Sequence, residues 1–145
     1  DKALPMTTTL RGFYEALQNP PDEARAQRQR NFDLVGPTLR AHADAGVLIM
    51  FGTDFDGLGL DPDPATAVRS EARAMVAAGF SEMEVIRMAT GNTSGHPMVP
   101  ADLGTISAGH IADLLVLGED PLQDITAVTR PVLVLKAGQI VIDKR

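Results

Sequence analysis

Asp54 is the residue best placed to do chemistry. It closes Gly52-Thr53-Asp54, which follows the unbroken apolar run Val47-Leu48-Ile49-Met50-Phe51. A carboxylate is a hard oxygen ligand for a metal ion and a reversible proton acceptor whose pKa burial and neighbouring charge can set. An apolar run bounded by glycines reads as a strand buried on both faces of a parallel sheet. In parallel α/β architectures the working groups collect at the carboxyl ends of such strands, where the loops line a cleft. Spacing alone leaves a plainer role open, an Asx turn in which Asp54 closes the loop and does nothing more. Thr53, Phe55 and Asp56 are pocket candidates by adjacency.

Other reactive types are few. The chain has no Cys, which removes thiolate ligands, cysteine nucleophiles and disulfides together but says nothing of compartment. Its three histidines are His42, His96 and His110. His42 falls in a helix ahead of the Asp54 strand, in a register that turns it from the strand's mouth, so a solvated or packing role is expected. His110 stands in a turn between short strands, a surface position. Catalytic zinc generally takes three protein ligands plus water, and one aspartate does not complete that set. A calcium loop beginning at Asp54 needs a Glu at its twelfth position, where Ala65 stands. Asp61 and Asp63 alternate with Pro62 and Pro64 and are expected to stiffen and cap a loop.

The elements that must carry these residues follow from local pattern. Leu4 to Leu10 is a β-branched stretch expected to form a short strand, and Arg11 to Pro21 is expected to be a loop. From Asp22 the sequence is helical in pattern to Gly46, a C′ cap, with a kink or break at Gly36-Pro37, because proline lacks the backbone donor. After the Asp54 loop, Asp63-Pro64 supplies an N-cap and a first-turn proline for a helix with Val68, Ala72, Met75 and Val76 on one stripe. Gly79 ends it. Ser81 and Glu84 form a capping box for the next helix, Glu82 to about Thr90, with Val85, Ile86 and Ala89 facing inward. Short strands are then expected at Gly104 to Ser107, Asp113 to Leu117, Val132 to Leu135 and Gln139 to Asp143. Ala137-Gly138 is a two-residue hairpin turn between the last two.

Composition narrows the classes. The 145 residues are 44% apolar and 22% charged, which supports a packed core, yet they fall short of the roughly 250 that a complete eight-fold α/β barrel needs. A net charge of −6 gives no footprint for nucleic acid, where clustered cations must displace counterions. No apolar run reaches membrane-spanning length and no signal peptide opens the chain, so a cytoplasmic location is the default expectation and the compartment stays open. The first residue is Asp1 rather than Met, so upstream residues are expected to be missing from this chain.

Four stretches carry a family resemblance. The run Gly46 to Asp54 resembles the eighth barrel strand of the amidohydrolase superfamily, which ends in Gly-Thr-Asp. Ile86-Arg87-Met88-Ala89-Thr90-Gly91-Asn92-Thr93 is similar to the family's helix ending in Ala-Thr-x-Asn. Leu103 to Ile125, LGTISAGHIADLLVLGEDPLQDI, matches the family's Leu-Gly-Thr-Ile strand, its Ala-Asp-Leu strand and its Asp-Pro-Leu loop, and Val132 to Val141 its closing hairpin. The order holds over about residues 44 to 143, nearest to the imidazolonepropionase-like and dipeptidase-like members. The resemblance implies a hydrolase that activates water on one or two divalent metals, usually zinc, to cleave an amide or cyclic amide. It also implies that Asp54 touches the metal or its water, takes the water proton and passes it to the leaving nitrogen. The family's His-x-His pair, its carboxylated Lys or Glu and its two later histidines have no counterpart in this chain. Gly95-His96-Pro97 departs from the family's short helix, and His110 stands where the family often has Lys. Asp54-Phe55-Asp56-Gly57-Leu58 also resembles the paired-aspartate motif of haloacid-dehalogenase-type phosphatases, but Leu58 stands where that family has Thr or Ser, and no suitable Lys follows.

The expectation is therefore an α/β chain that forms the C-terminal part of a TIM-like barrel, followed by a small antiparallel β-sandwich module. Residues 1–100 would be the partial barrel and 101–145 part of the module. The substrate would be a small amide or cyclic amide, without nucleic acid or membrane partners. The alternative from another class is a non-catalytic fragment or assembly module, whose open strand edges would favour self-association, so a homo-oligomer stays open.

Overall fold

The computed structural model describes residues 4–18, 25–54 and 63–145. Met6–Thr7 (β1) and Ile49–Met50 (β2) are parallel neighbours, with Met6 opposite Ile49 and Thr7 opposite Met50. Met6 N donates to Leu48 O and Thr8 N to Met50 O, each at 2.9 Å. A parallel pair needs a crossover, and helices Arg11–Gln18 (α1) and Arg25–Asp44 (α2) supply it. After β2 come Pro64–Ala77 (α3) and Glu82–Ala89 (α4). The order is thus strand, helices, strand, helices.

The helix ends predicted from local sequence are borne out for α3 and α4. Asp63 accepts from Thr66 N at 2.8 Å, with Pro64 in the first turn. Gly79 is left-handed at φ 96°, as the turn out of α3 requires. Ser81 and Glu84 make the reciprocal capping box, Ser81 N donating to Glu84 Oε2 at 2.8 Å and Glu84 N to Ser81 Oγ at 3.4 Å.

Beyond residue 110 the chain forms a three-stranded antiparallel sheet in the order β3 (Leu114–Leu117), β4 (Pro131–Lys136), β5 (Gln139–Asp143). The β4–β5 turn places Ala137 at φ 49° and Gly138 at φ 79°, the double left-handed form that matches the twist of a hairpin. Asp113 braces it, accepting from Ala137 N at 2.8 Å and pairing with Lys136, which holds its carboxyl below the usual range. Between β3 and β4, the 3-10 helix Ile125–Thr129 returns to α3, and Ile125 joins the main core with Leu10, Phe32, Leu39, Ile49, Ala72, Met75, Phe80, Val85 and Met88. Among the described residues no helix is long and apolar enough to cross a membrane.

Four expectations are corrected. Arg11 to Gln18 is helix rather than loop: Phe13, Tyr14 and Leu17 face the core, and the first turn closes on Leu10 O, which accepts from Phe13 N and Tyr14 N at 3.1 Å. Of the kink or break expected at Gly36-Pro37, the break does not occur, and α2 runs through Pro37. Gly36 instead lets the helix approach α3's end, since a Cβ there would lie 3.1 Å from Ala78 Cβ, and the Thr38 hydroxyl donates to Leu34 O beside the missing proline donor. Gly104 to Ser107 forms a bend and irregular chain rather than a strand; Gly104 is left-handed at φ 78°, and a Cβ there would meet Thr90 O at the end of α4. On α4, Val85 and Ile86 face inward as expected, but Met88 rather than Ala89 completes that face, and Ala89 is exposed.

Candidate functional site

The carboxyl ends of β1 and β2 lie side by side, and the sequence permits it at one residue. A Cβ on Gly52 would stand 2.2 Å from Thr7 Cγ2 and 2.8 Å from Thr8 O, so only glycine allows the approach. Thr8 is buried, and its Oγ1 accepts from Gly52 N at 3.2 Å. The other edge of β2 is held by the end of α4: Asn92 Nδ2 donates to Ile49 O at 2.8 Å, and Phe51 N to Met88 O at 3.1 Å. Thr53 and Asp54 therefore emerge from a strand gripped on both edges.

Asp54 is exposed and left-handed, with φ 51°. Its carboxylate has no hydrogen-bond partner among the described residues, whereas its backbone is engaged. Arg11, the first residue of α1, donates from Nε to Thr53 O and from Nη2 to Asp54 O, the latter at 3.1 Å. The Arg11 side chain is 14% exposed, with Nη1 3.6 Å from Glu15 Oε2. Its own amide donates to Glu71 Oε2 at 2.7 Å. Glu71 lies on α3 and is fully buried. Burial pushes its carboxyl up, opposed by hydrogen bonds from the Thr8 hydroxyl and the Leu10 and Arg11 amides, while Oε1 has no partner among the described residues. Glu71, Arg11 and the Thr53-Asp54 backbone thus form one chain of contacts from the core to the strand end.

The histidines lie apart from this arrangement. His42 is exposed, its Nδ1 2.7 Å from Thr38 O on its own helix. His96 Nδ1 accepts from Met98 N at 3.2 Å, and His110 Nδ1 lies 2.9 Å from Thr105 Oγ1, each within its own turn. Asp63 is the α3 cap, its carboxyl lowered chiefly by the Thr66 amide. Phe55, Asp56 and Asp61 lie outside the described residues. Among the described residues no group of three or more His, Asp or Glu could hold a metal ion. An exposed carboxylate at a strand mouth, unpartnered among the described residues, fits one oxygen position of a metal site, and the described residues supply that one donor. An apolar groove of about 430 Å³ lies between α3, α4 and β3, lined by Phe51, Val68, Val85, Leu115 and Ile125 among others, and Asp54 is not part of its lining.

Arg11, Glu71 and Thr8 were missed in sequence. Arg11 follows the β1 end much as Asp54 follows β2, and Glu71 interrupts the buried Ala67, Ala74 and Met75 face of α3. Those positions are the signals that could have found them.

The family model described as "Amidohydrolase family" matches residues 35–141. Among solved structures, a prolidase complexed with N-methylphosphonate-L-proline is 29% identical at TM-score 0.68, with 94% of this chain and 34% of that chain covered. An amidohydrolase is 26% identical at TM-score 0.67, with the same coverage of 94% and 34%. A Xaa-Pro dipeptidase with methionine bound in its active site is 25% identical at TM-score 0.68, again over 94% and 34%. The chain spans about a third of the length of these structures. No curated protein matches it in sequence.

Proposed function

The chain belongs to the amidohydrolase family, and from that premise we propose that it is the C-terminal part of a metal-dependent hydrolase of carbon-nitrogen bonds. The observation that carries the reading is Asp54: an exposed carboxylate, without a hydrogen-bond partner among the described residues, at the carboxyl end of the second of two parallel strands and inside the matched segment. The parallel order β1–α1–α2–β2–α3–α4 supports residues 1–100 as the last units of a TIM-like barrel. Residues 101–145 would be one layer of the β-sandwich module. Leu115 and Ile142 flank Val134 in one row across the sheet yet are 55% and 41% exposed, which suits a facing layer from elsewhere in the protein.

In this reading Asp54 supplies one oxygen ligand to a divalent metal, zinc in the first instance, and the other donors come from outside the described residues. When bound, the metal lowers the pKa of water to about 7 and polarises the scissile carbonyl. Asp54 accepts the proton of the attacking water at a carboxylate oxygen and returns it to the leaving nitrogen. A small amide or cyclic amide is the substrate class. The prolidase and Xaa-Pro dipeptidase neighbours favour a dipeptide within it. The family match spans both Asp54 and Asp56, which leaves the phosphatase reading without support.

Metal removal tests the proposal. The intact protein should hydrolyse at least one of a panel of Xaa-Pro dipeptides, N-acyl amino acids and cyclic amides, lose that activity to a chelator, and regain it with zinc or another divalent ion. No hydrolysis with any metal, or hydrolysis that survives complete stripping, would sink it.

A further inference from the structure

We propose that Arg11 is a positioning residue for Asp54 and that it acts through the main chain rather than the carboxylate. The inference rests on the reading of Asp54 as metal ligand and proton acceptor. The Thr53 carbonyl lies in the peptide plane before the Asp54 Cα, and the Asp54 carbonyl in the plane after it. Arg11 donates to both, from Nε and Nη2. Holding the two planes that flank one Cα fixes φ and ψ there, and with them the direction of the Cα–Cβ bond. The carboxylate is thus aimed through its main chain, and no described residue takes up its oxygens.

The conformation so held is one that needs holding. Asp54 sits at φ 51°, in the left-handed region that residues with a Cβ adopt far less readily than glycine and that persists where the surroundings over-determine it. A planar guanidinium suits the task because its N–H donors leave in a rigid fork, whereas a lysine ammonium is a point charge that cannot set two planes at once. Arg11 is itself held at both ends. Its amide is anchored at 2.7 Å by Glu71, which is fully buried, and Glu15 lies 3.6 Å from its third nitrogen. Gly52 brings the β1 end close enough for the reach from α1. The line from Glu71 through Arg11 to Asp54 therefore ties the metal-facing carboxylate to the core of α3.

Arg11→Met in the intact protein removes the fork and keeps the bulk of the stem. Zinc affinity is measured by chelator competition, and kcat and KM are measured on methionylproline or the panel amide that turns over fastest. The expected result is a loss of about 10- to 100-fold in kcat or zinc affinity, the range for outer-sphere partners of a ligand. KM should stay within about twofold, because an aimed group acts in the transition state. Wild-type kcat and zinc affinity in folded Arg11→Met would overturn the proposal. Should that variant fail to fold, Arg11→Lys carries the test: a fall in kcat of about fivefold or more at unchanged KM supports it, and unchanged kcat overturns it. Asp54→Asn run alongside separates the two readings. Full activity there removes Asp54 from the mechanism, whereas its inactivity beside a wild-type-like Arg11→Met removes only the role of Arg11.

Discussion

Replacing Glu71 by Gln should leave the protein equally stable in acid and make it more stable than wild type at neutral pH. Glu71 is fully buried, its Oε2 accepts from Arg11 N at 2.7 Å, and burial is the largest influence on its carboxyl, pushing the pKa up from 4.5. Below pH 4.5 the carboxyl is neutral in both folded and unfolded states, and Gln, its neutral isostere, can accept from Arg11 N in the same way. Above 4.5 the unfolded chain releases the proton while the folded chain still holds it. The folded state then binds more protons, so wild-type stability falls as pH rises, by up to about 1.4 kcal/mol per pH unit until the folded pKa is passed. Gln carries no such penalty, so the gap in its favour opens over that window and then stays constant. Equilibrium urea unfolding of both proteins from pH 4 to 8, with chelator present so that metal release does not contribute, measures it. A Gln variant that is less stable than wild type, by a margin that widens with pH, would show an ionised and stabilising carboxylate and refute the reasoning.

Gly52→Ala places a methyl 2.2 Å from Thr7 Cγ2 and 2.8 Å from Thr8 O. It should cost about 1–3 kcal/mol, as overpacking does, and lower turnover by displacing the strand end; wild-type melting and kcat would contradict the close approach. Glu84→Gln weakens the capping box and the pair with Arg40, whose guanidinium, ahead of the Ser81 groups, holds the Glu84 carboxyl at about 2. A depressed acid stabilises above its unfolded pKa of 4.5 and loses that effect as pH falls toward 2. The side chain is 36% exposed, so solvent screening keeps the loss at neutral pH to about 1 kcal/mol or less. Urea unfolding at pH 7 and pH 3 should show that loss shrinking in acid.

What was legible in sequence was local. The Asp63 cap, the Ser81-Glu84 box and the Ala137-Gly138 turn each satisfy their backbone groups within a few residues, so their patterns name them. Helix α1 was not legible, because the acceptor for its first amide is Glu71, 60 residues away. The bend at Gly104 was missed for the same reason, its constraint being the Thr90 carbonyl at the end of α4. The site divides along the same line. Asp54 announces itself by following an apolar strand, but Arg11, although it follows β1 in a like position, reaches Asp54's backbone across 42 and 43 residues, a contact that no local pattern specifies. Proline at 37 misled because its helix-breaking tendency was outweighed by packing, with Phe32, Gly36 and Leu39 buried on either side of it.

The central claim is that Asp54 binds the metal and carries the proton. Asp54→Asn in the intact protein keeps the size of the side chain and removes its charge and basicity, so turnover on the best amide substrate and bound zinc per protomer test the claim together. The account expects kcat to fall by about 10²- to 10⁴-fold, the range for a lost acid-base group, with zinc held more weakly in a protein that melts as wild type does. Wild-type turnover with a full complement of zinc would contradict it.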